Sequence, residues 1–136
     1  MSTELFSSVT DTPVGELTIV VSRKGVRAIL WPDDDPARVR LDSPTVDSGN
    51  RVINATIAQL AEYFEGERTV FDVPLDPVGT TFQRSAWDAL RSIPYGTTVS
   101  YGEQAERMGD RRKARAVGAA NGRNPISIVL PCHRVV

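Results

Sequence analysis

Cys132 and His133 are the sole cysteine and the sole histidine of this 136-residue chain, and they are adjacent. A thiol attacks as its thiolate, a form that a basic or cationic neighbour favours. An imidazole beside the thiol, followed by Arg134, is therefore a compact nucleophile-and-base arrangement. The plainer alternative for a lone cysteine is a small, inert core residue, and for the histidine a half-buried ring with one hydrogen bond. Consecutive side chains on a strand point to opposite faces, so the pair needs a turn at Cys132, or a bridging water, to act together. Two further residues could do chemistry. Tyr101 offers a phenolic donor, against the plainer role of a core-rim tyrosine. Arg115 offers a cation for a polyanion or a base stack, against the plainer role of a solvated helix-start charge.

These residues lie in a basic half of the chain. Residues 81–136 carry 9 Lys and Arg against 4 Asp and Glu, a balance of +5, whereas residues 1–80 carry 7 against 13, a balance of −6. A basic lobe is the electrostatic footprint of a polyanion site, though uneven solvation of two lobes gives the same count. The 40% hydrophobic and 24% charged composition is that of a soluble globular protein. No apolar run approaches the roughly 20 residues of a membrane helix, so no membrane partner is expected. Met1–Leu5 lacks the basic start and apolar stretch of a secretory signal. One cysteine makes no internal disulfide, which suits a reducing cytoplasm. One Cys and one His cannot supply the ligands of a structural zinc, so neither metal nor cofactor is expected.

The elements that must position the pair follow from periodicity and punctuation. Leu5–Val9, Leu17–Val21 and Val26–Trp31, separated by Gly- and Pro-containing turns, predict an antiparallel meander. Residues 32–44, with Asp33, Asp34 and Asp35, read as a solvent-facing loop carrying a short helix or edge strand. Val52, Ile53, Ile57, Leu60, Ala61 and Phe64 form one face of a helix over 50–64, with Gly66 as its left-handed cap. Thr69–Leu75 reads as extended. The expected organisation is an N-terminal lobe over 1–75, a linker over 76–80 and a second lobe over 81–136.

The second lobe reads as helical. Thr81 is placed as the cap of a helix to about Ser92, with Trp87 in its core face. Ser100 caps a helix over Tyr101–Met108, with Glu103 completing a capping box. A basic turn leads to a small-residue helix from Lys113 to about Gly122, which gives a helix-turn-helix pattern. Its Ala and Gly side chains permit close approach of another helix or of a DNA groove wall. Asn124–Pro125 ends it, and Ile126–Leu130 is expected as a short extended run into Pro131-Cys132. The fold class is therefore α+β: an N-terminal α/β lobe with a small antiparallel sheet plus helix, and a mainly helical C-terminal lobe with a helix-turn-helix.

Taken together, Pro131-Cys132-His133-Arg134-Val135-Val136, Phe82–Trp87, Ile93–Tyr101, Lys113–Ala120 and Asn124-Pro125 resemble, in order and spacing, the methylated-DNA–protein-cysteine methyltransferases, also called O6-alkylguanine-DNA alkyltransferases. The match is strong over 80–136 and loose over 1–79. The resemblance implies stoichiometric repair of double-stranded DNA carrying O6-alkylguanine, with Cys132 as alkyl acceptor and His133 as base through a water. It implies that Asn124 holds the turn around the cysteine. By the same resemblance Tyr101 would contact the flipped guanine and the neighbouring phosphate, and Arg115 would fill the vacated stack. Ala114, Ala116, Gly118, Ala119 and Arg123 would belong to the helix that, in the family, enters the minor groove. A flipped base costs a few kcal/mol, which an inserted cation and a basic helix pair offset. Contacts mostly to phosphate make such binding salt-dependent and weakly sequence-specific.

The family continues past its motif with a pocket-lining loop and a helix whose glutamate orients the histidine. If the chain ends at Val136, weak or no transfer is expected. Some members bind zinc through N-terminal cysteines and histidines; this lobe has neither, so none is expected. No obligate protein partner is evident. The alternative function is an alkyltransferase-like module that binds damaged DNA without transfer. Cys132 argues against it, since such proteins usually replace the acceptor. A redox or hydrolytic cysteine enzyme is the third reading, disfavoured by the absence of a second thiol.

Overall fold

A computed structural model describes residues 4–136, so the first three positions of the Met1–Leu5 reading lie outside the described residues. The chain divides into two compact units, Met1–Pro77 and Val78–Val136.

The first unit is a four-stranded sheet with one helix. Strands β1 (Phe6–Thr12), β2 (Gly15–Val21) and β3 (Val26–Leu30) pair antiparallel, and β4 (Thr45–Val46) adds a short parallel edge against Phe6 and Ser7. β1 runs longer than the expected Leu5–Val9, because Gly15, at φ +107°, allows a tight hairpin and keeps Thr12 in register with it. Alternation along β2 sends Leu17 and Ile19 to one face and Val20 to the other. Helix α1 (Arg51–Phe64) packs against β1 and β2 and buries Ile53, Thr56 and Leu60. Its cap is Asn50, whose side-chain Oδ1 accepts from the N–H groups of Val52 and Ile53. Gly66 has φ +79°, the left-handed conformation that ends many helices.

Val20 joins Leu5 and Ala28 in a second cluster, against which Leu30, Val39 and Leu41 pack. The 32–44 loop is thus not simply solvent-facing, as its acidic sequence suggested. It folds back over the sheet, and Asp34 is mostly buried, where it accepts from Arg38 at 2.8 and 2.6 Å and from the Trp31 N–H at 3.1 Å. The Arg38 guanidinium holds the Asp34 carboxyl below its ordinary range, and the neighbouring backbone N–H groups reinforce it. Residues 69–75 form no strand of their own; Leu75 makes a single parallel bridge to Val26. Asp76 is bonded to Ser22 and Arg27.

The second unit has three α-helices and two single 3₁₀ turns. Helix α2 spans Thr81–Leu90. Its cap is Thr80 rather than Thr81, because the reciprocal capping box closes between Thr80 and Gln83. It ends at Leu90, short of the expected Ser92. Helix α3 (Tyr101–Arg107) starts as expected, with the Ser100–Glu103 box formed. A 3₁₀ turn (Arg111–Lys113), capped by Asp110, leads into α4 (Ala114–Gly122), so Lys113 precedes the α-helix instead of opening it. The core contains Trp87, Leu90, Ile93, Val117, Ile126 and Leu130. The Trp87 indole N–H donates to the Ala120 carbonyl at 2.8 Å, which ties α2 to α4. No helix among the described residues is long and apolar enough to cross a membrane.

Candidate alkyl-acceptor and DNA-binding site

The segment that delivers the cysteine is a compact turn, not the extended run expected over Ile126–Leu130. Val129 N–H donates to Ser127 O at 2.9 Å and Leu130 N–H to Ile126 O at 2.9 Å. Ile128 sits at φ +73°, the one non-glycine residue with positive φ among those described. A β-branched side chain resists this conformation, so surrounding contacts must impose it. Asn124 supplies them. Its side chain is buried, donates to Leu130 O at 2.7 Å and accepts from Ile126 N–H at 3.0 Å, clamping both ends of the turn.

Cys132, His133 and Arg134 then form a single 3₁₀ turn, with Arg134 N–H donating to Pro131 O at 3.0 Å and Val135 N–H to Cys132 O at 3.1 Å. The turn at Cys132 that the pair required is therefore present, and both side chains leave the same turn. Cys132 is half-buried and His133 exposed. Partial desolvation of the imidazole, with the Arg134 charge as a second cause, lowers the His133 pKa below its ordinary 6.5, so the ring is held neutral. Arg134 itself is turned away: it donates to Ile93 O at 2.8 Å and lies 5.6 Å from the Tyr95 ring centroid.

The cysteine turn is joined to the start of α3. Val99 N–H donates to Arg134 O at 2.9 Å, and Val136 N–H donates back to Val99 O at 2.9 Å. Val99 lies two residues before Tyr101, so this bridge fixes the beginning of α3 beside the end of the cysteine turn. Tyr101 is exposed, and its ring lies over Gly118 of α4, where an added Cβ would meet its Cε1 at 3.6 Å.

On α4, Val117, Ala120 and Asn121 are buried, while Arg115, Ala116, Ala119, Gly122 and Arg123 are exposed. Steps of one, four, seven and eight residues from Arg115 place that second set on one helical stripe. It is a smooth surface of small side chains with an arginine at each end. Ala114 and Gly118 are half-buried at its margin. Arg111 and Arg112 flank α4 but are paired with Glu106 and Asp110. Asp110 is held below its ordinary pKa by its bonds to Arg112. Among the described residues no cluster of three or more His, Cys, Asp or Glu could hold a metal ion.

Sequence reasoning passed over two residues of this region. Gln104 and Asn121 are buried and bonded to each other, with Asn121 Nδ2 donating to Gln104 Oε1 at 2.8 Å and Gln104 Nε2 to Asn121 Oδ1 at 3.1 Å. The available signal was periodic: each amide stands where the helical pattern places the interior.

Residues 81–136 match the family model described as 6-O-methylguanine DNA methyltransferase, DNA binding domain, and residues 5–77 match its ribonuclease-like domain. A methylated-DNA–protein-cysteine methyltransferase of Mycobacterium leprae is 54% identical over 128 residues, covering 93% of this chain and 74% of its own length. The protein of that name from Mycolicibacterium paratuberculosis is 45% identical over 129 residues, with the same coverage of 93% and 74%. The crystal structure of Mycobacterium tuberculosis OGT in complex with DNA superposes with a TM-score of 0.83 at 42% identity, covering 98% of this chain and 78% of that one. The resemblance of the motifs and the α+β architecture agree with these matches, and the chain belongs to the methylated-DNA–protein-cysteine methyltransferase family.

Proposed function

We propose that this protein repairs DNA by moving an alkyl group from O6 of guanine onto Sγ of Cys132, one molecule per lesion. The observation that carries the reading is the half-buried cysteine on a turn whose strained approach is clamped by Asn124, beside a histidine kept neutral. A neutral imidazole can take the thiol proton through a water. The sulfur–carbon bond forms as the carbon–O6 bond breaks, and the electron pair goes to guanine. A proton from the Tyr101 phenol lets guanine leave neutral, and the proton held on His133 balances that loss.

The remaining residues bind and open the duplex. The alkyl carbon is out of reach in a stacked base pair, so the nucleotide is flipped out. Arg115 fills the gap, and Ala114, Ala116, Gly118 and Ala119 let α4 approach the minor groove, with Arg123 on the phosphates. Residues 81–136 carry this machinery, residues 1–75 form the N-terminal lobe, and 76–80 connect them. A cytoplasmic location accords with a lone free thiol. The relatives' names and the DNA complex of the M. tuberculosis protein support the substrate class.

Intact mass after incubation with duplex DNA containing O6-methylguanine tests the reading. The expected result is a gain of one methyl, mapped to Cys132 and lost in Cys132→Ser. Damage-selective binding with no mass change would replace transfer by damage sensing.

A further inference from the structure

The second unit buries a side-chain amide pair that the proposed chemistry does not use. Gln104 is fully buried and Asn121 nearly so. Beyond their two mutual bonds, Gln104 Nε2 donates at 3.0 Å to the Ala86 carbonyl of α2. Two amides thus join α2, α3 and α4 at one point. A buried amide costs more than an apolar side chain unless each polar atom is paired, so its return is orientation: it permits one helix arrangement where a greasy contact permits several.

The position of the pair says what is oriented. Gln104 lies three residues after Tyr101 on α3, and Asn121 three residues after Gly118 on α4. The Tyr101–Gly118 contact and the Gln104–Asn121 contact are therefore successive rungs of one helix–helix interface, one turn apart. Only the deeper rung has directional bonds. The upper one is a ring resting on a residue without a side chain, which by itself leaves the ring free to slide. Asn121 also lies one turn before the residue that clamps the cysteine turn: its backbone carbonyl accepts from Asn124 N–H at 3.1 Å, and the Asn124 side chain holds the Leu130 carbonyl.

We infer that Gln104 and Asn121 are positioning residues for the transfer step, setting the Tyr101 phenol relative to the Cys132 turn through a directional lock between α3 and α4. The inference rests on the alkyl-transfer reading above. It assigns no contact with DNA to either amide.

The test is the double variant Gln104→Leu/Asn121→Leu, which replaces both partners by apolar groups of similar size and leaves neither amide stranded, a change that can be nearly neutral for stability. The single variants strand one amide and serve as folding controls. The expected result is a melting temperature within about 5 °C of the parent and a dissociation constant for methylated duplex within about twofold. The single-turnover transfer rate at saturating DNA falls by about tenfold or more, the scale expected when a group that acts only in the transition state loses its place. The Tyr101 ring resonances should also shift and broaden without DNA present. Parental transfer rate in a folded double variant, or unchanged Tyr101 resonances, would overturn the inference. If the double variant unfolds, the exchanged pair Gln104→Asn/Asn121→Gln keeps both amides in reach. Restored folding with restored rate supports the lock, and restored folding with the rate still depressed and Tyr101 unmoved overturns it. A parent that binds damage and transfers nothing removes the alkyl-transfer reading, whereas the Tyr101 resonances still decide whether the pair orders the ring.

Discussion

Among the described residues, the buried uncharged polar side chains of the first unit are hydroxyls, Ser7, Ser22 and Thr56, beside the largely buried ion pairs Arg38–Asp34 and Arg27–Asp76; those of the second are the amides Gln104, Asn121 and Asn124, with Ser127. A hydroxyl has one hydrogen to place: Ser22 Oγ donates to the Asp76 carboxylate, far along the chain. Thr56 Oγ1 donates to Val52 O within its own helix, at 2.8 Å. An amide has donors and an acceptor to satisfy at once, and here they reach across helices or across a turn. The first unit is held by a sheet ladder and apolar packing, with Asp34 and Asp76 tying loop segments to it. The second is held at defined angles, and its strained residue, Ile128, lies between the amide clamp and the thiol. Stability is spread through one unit; in the other, a few directional bonds hold the candidate site in place.

The sharpest way to break this contrast is at Asn124. In Asn124→Ala the Leu130 carbonyl and the Ile126 N–H lose a buried partner, at a cost of about 3 kcal/mol. Without the clamp Ile128 should leave the left-handed region and displace Cys132. We expect transfer to fall by about 100-fold or more, the scale of a misplaced reacting group, together with a lower denaturation midpoint. Transfer within threefold of the parent would show that the turn does not need its clamp.

The counterpart in the first unit is Gly25, at φ +151°. A Cβ there would collide with the Pro74 carbonyl, which accepts from Val26 N–H at 2.8 Å. Gly25→Ala should cost roughly 2–3 kcal/mol from backbone strain and the displaced segment. Transfer by the folded fraction, measured well below the melting temperature, should be unchanged. A loss of transfer beyond the loss of folded protein would end the separation drawn between the two units.

A smaller effect separates stability from function within the second unit. Arg115 is exposed, so Arg115→Ala should leave the melting temperature in place. Loss of the cation proposed to fill the vacated stack should slow transfer from duplex by about tenfold and from single-stranded substrate much less, since flipping costs a few kcal/mol only in a duplex. Equal slowing on both substrates would move Arg115 from base extrusion to general phosphate binding.

Locally encoded features were legible in the sequence. The Ser100–Glu103 box announced α3, Asn124–Pro125 announced the end of α4, and adjacent Cys and His marked the candidate site. Features set by distant partners were not. An Ile in the left-handed region has no sequence signature, because Asn124 imposes it by bonds on either side of the turn. The amide pair spans 17 residues, and neither member looks unusual alone. The acidic loop hides its packing for a related reason: Val39 and Leu41 are too few to register as a face, yet they pack against Leu5, Val20 and Ala28.

The pH profile sharpens the role of the histidine. Its folded pKa is lowered, so the neutral imidazole that the proposed base role needs is in place at pH 7 and is lost only as pH falls through a value below 6.5. Transfer should therefore lose little from pH 8 to 7 on account of His133, then decline at acid pH. That acid limb should be absent from the residual activity of His133→Gln. The same sign holds for folding: the unfolded chain binds the proton first, so the histidine destabilises the fold as pH drops below 6.5, and only slightly because the residue is exposed.

The smallest predicted effect tests whether α4 is smooth for packing or for DNA. At Gly118 an added Cβ would stand 3.6 Å from the Tyr101 ring, an ordinary van der Waals distance, so the fold has room for it. Alanine in place of glycine inside a helix is worth roughly 0.5–1 kcal/mol of stability. If glycine is kept there by the protein's own packing, Gly118→Ala should be neutral or worse for stability and silent for DNA. If it is kept for groove approach, the variant should melt a few degrees higher while its affinity for methylated duplex drops severalfold. We expect the second pattern, because the only side chain an added methyl would touch is the tyrosine proposed to meet the flipped base.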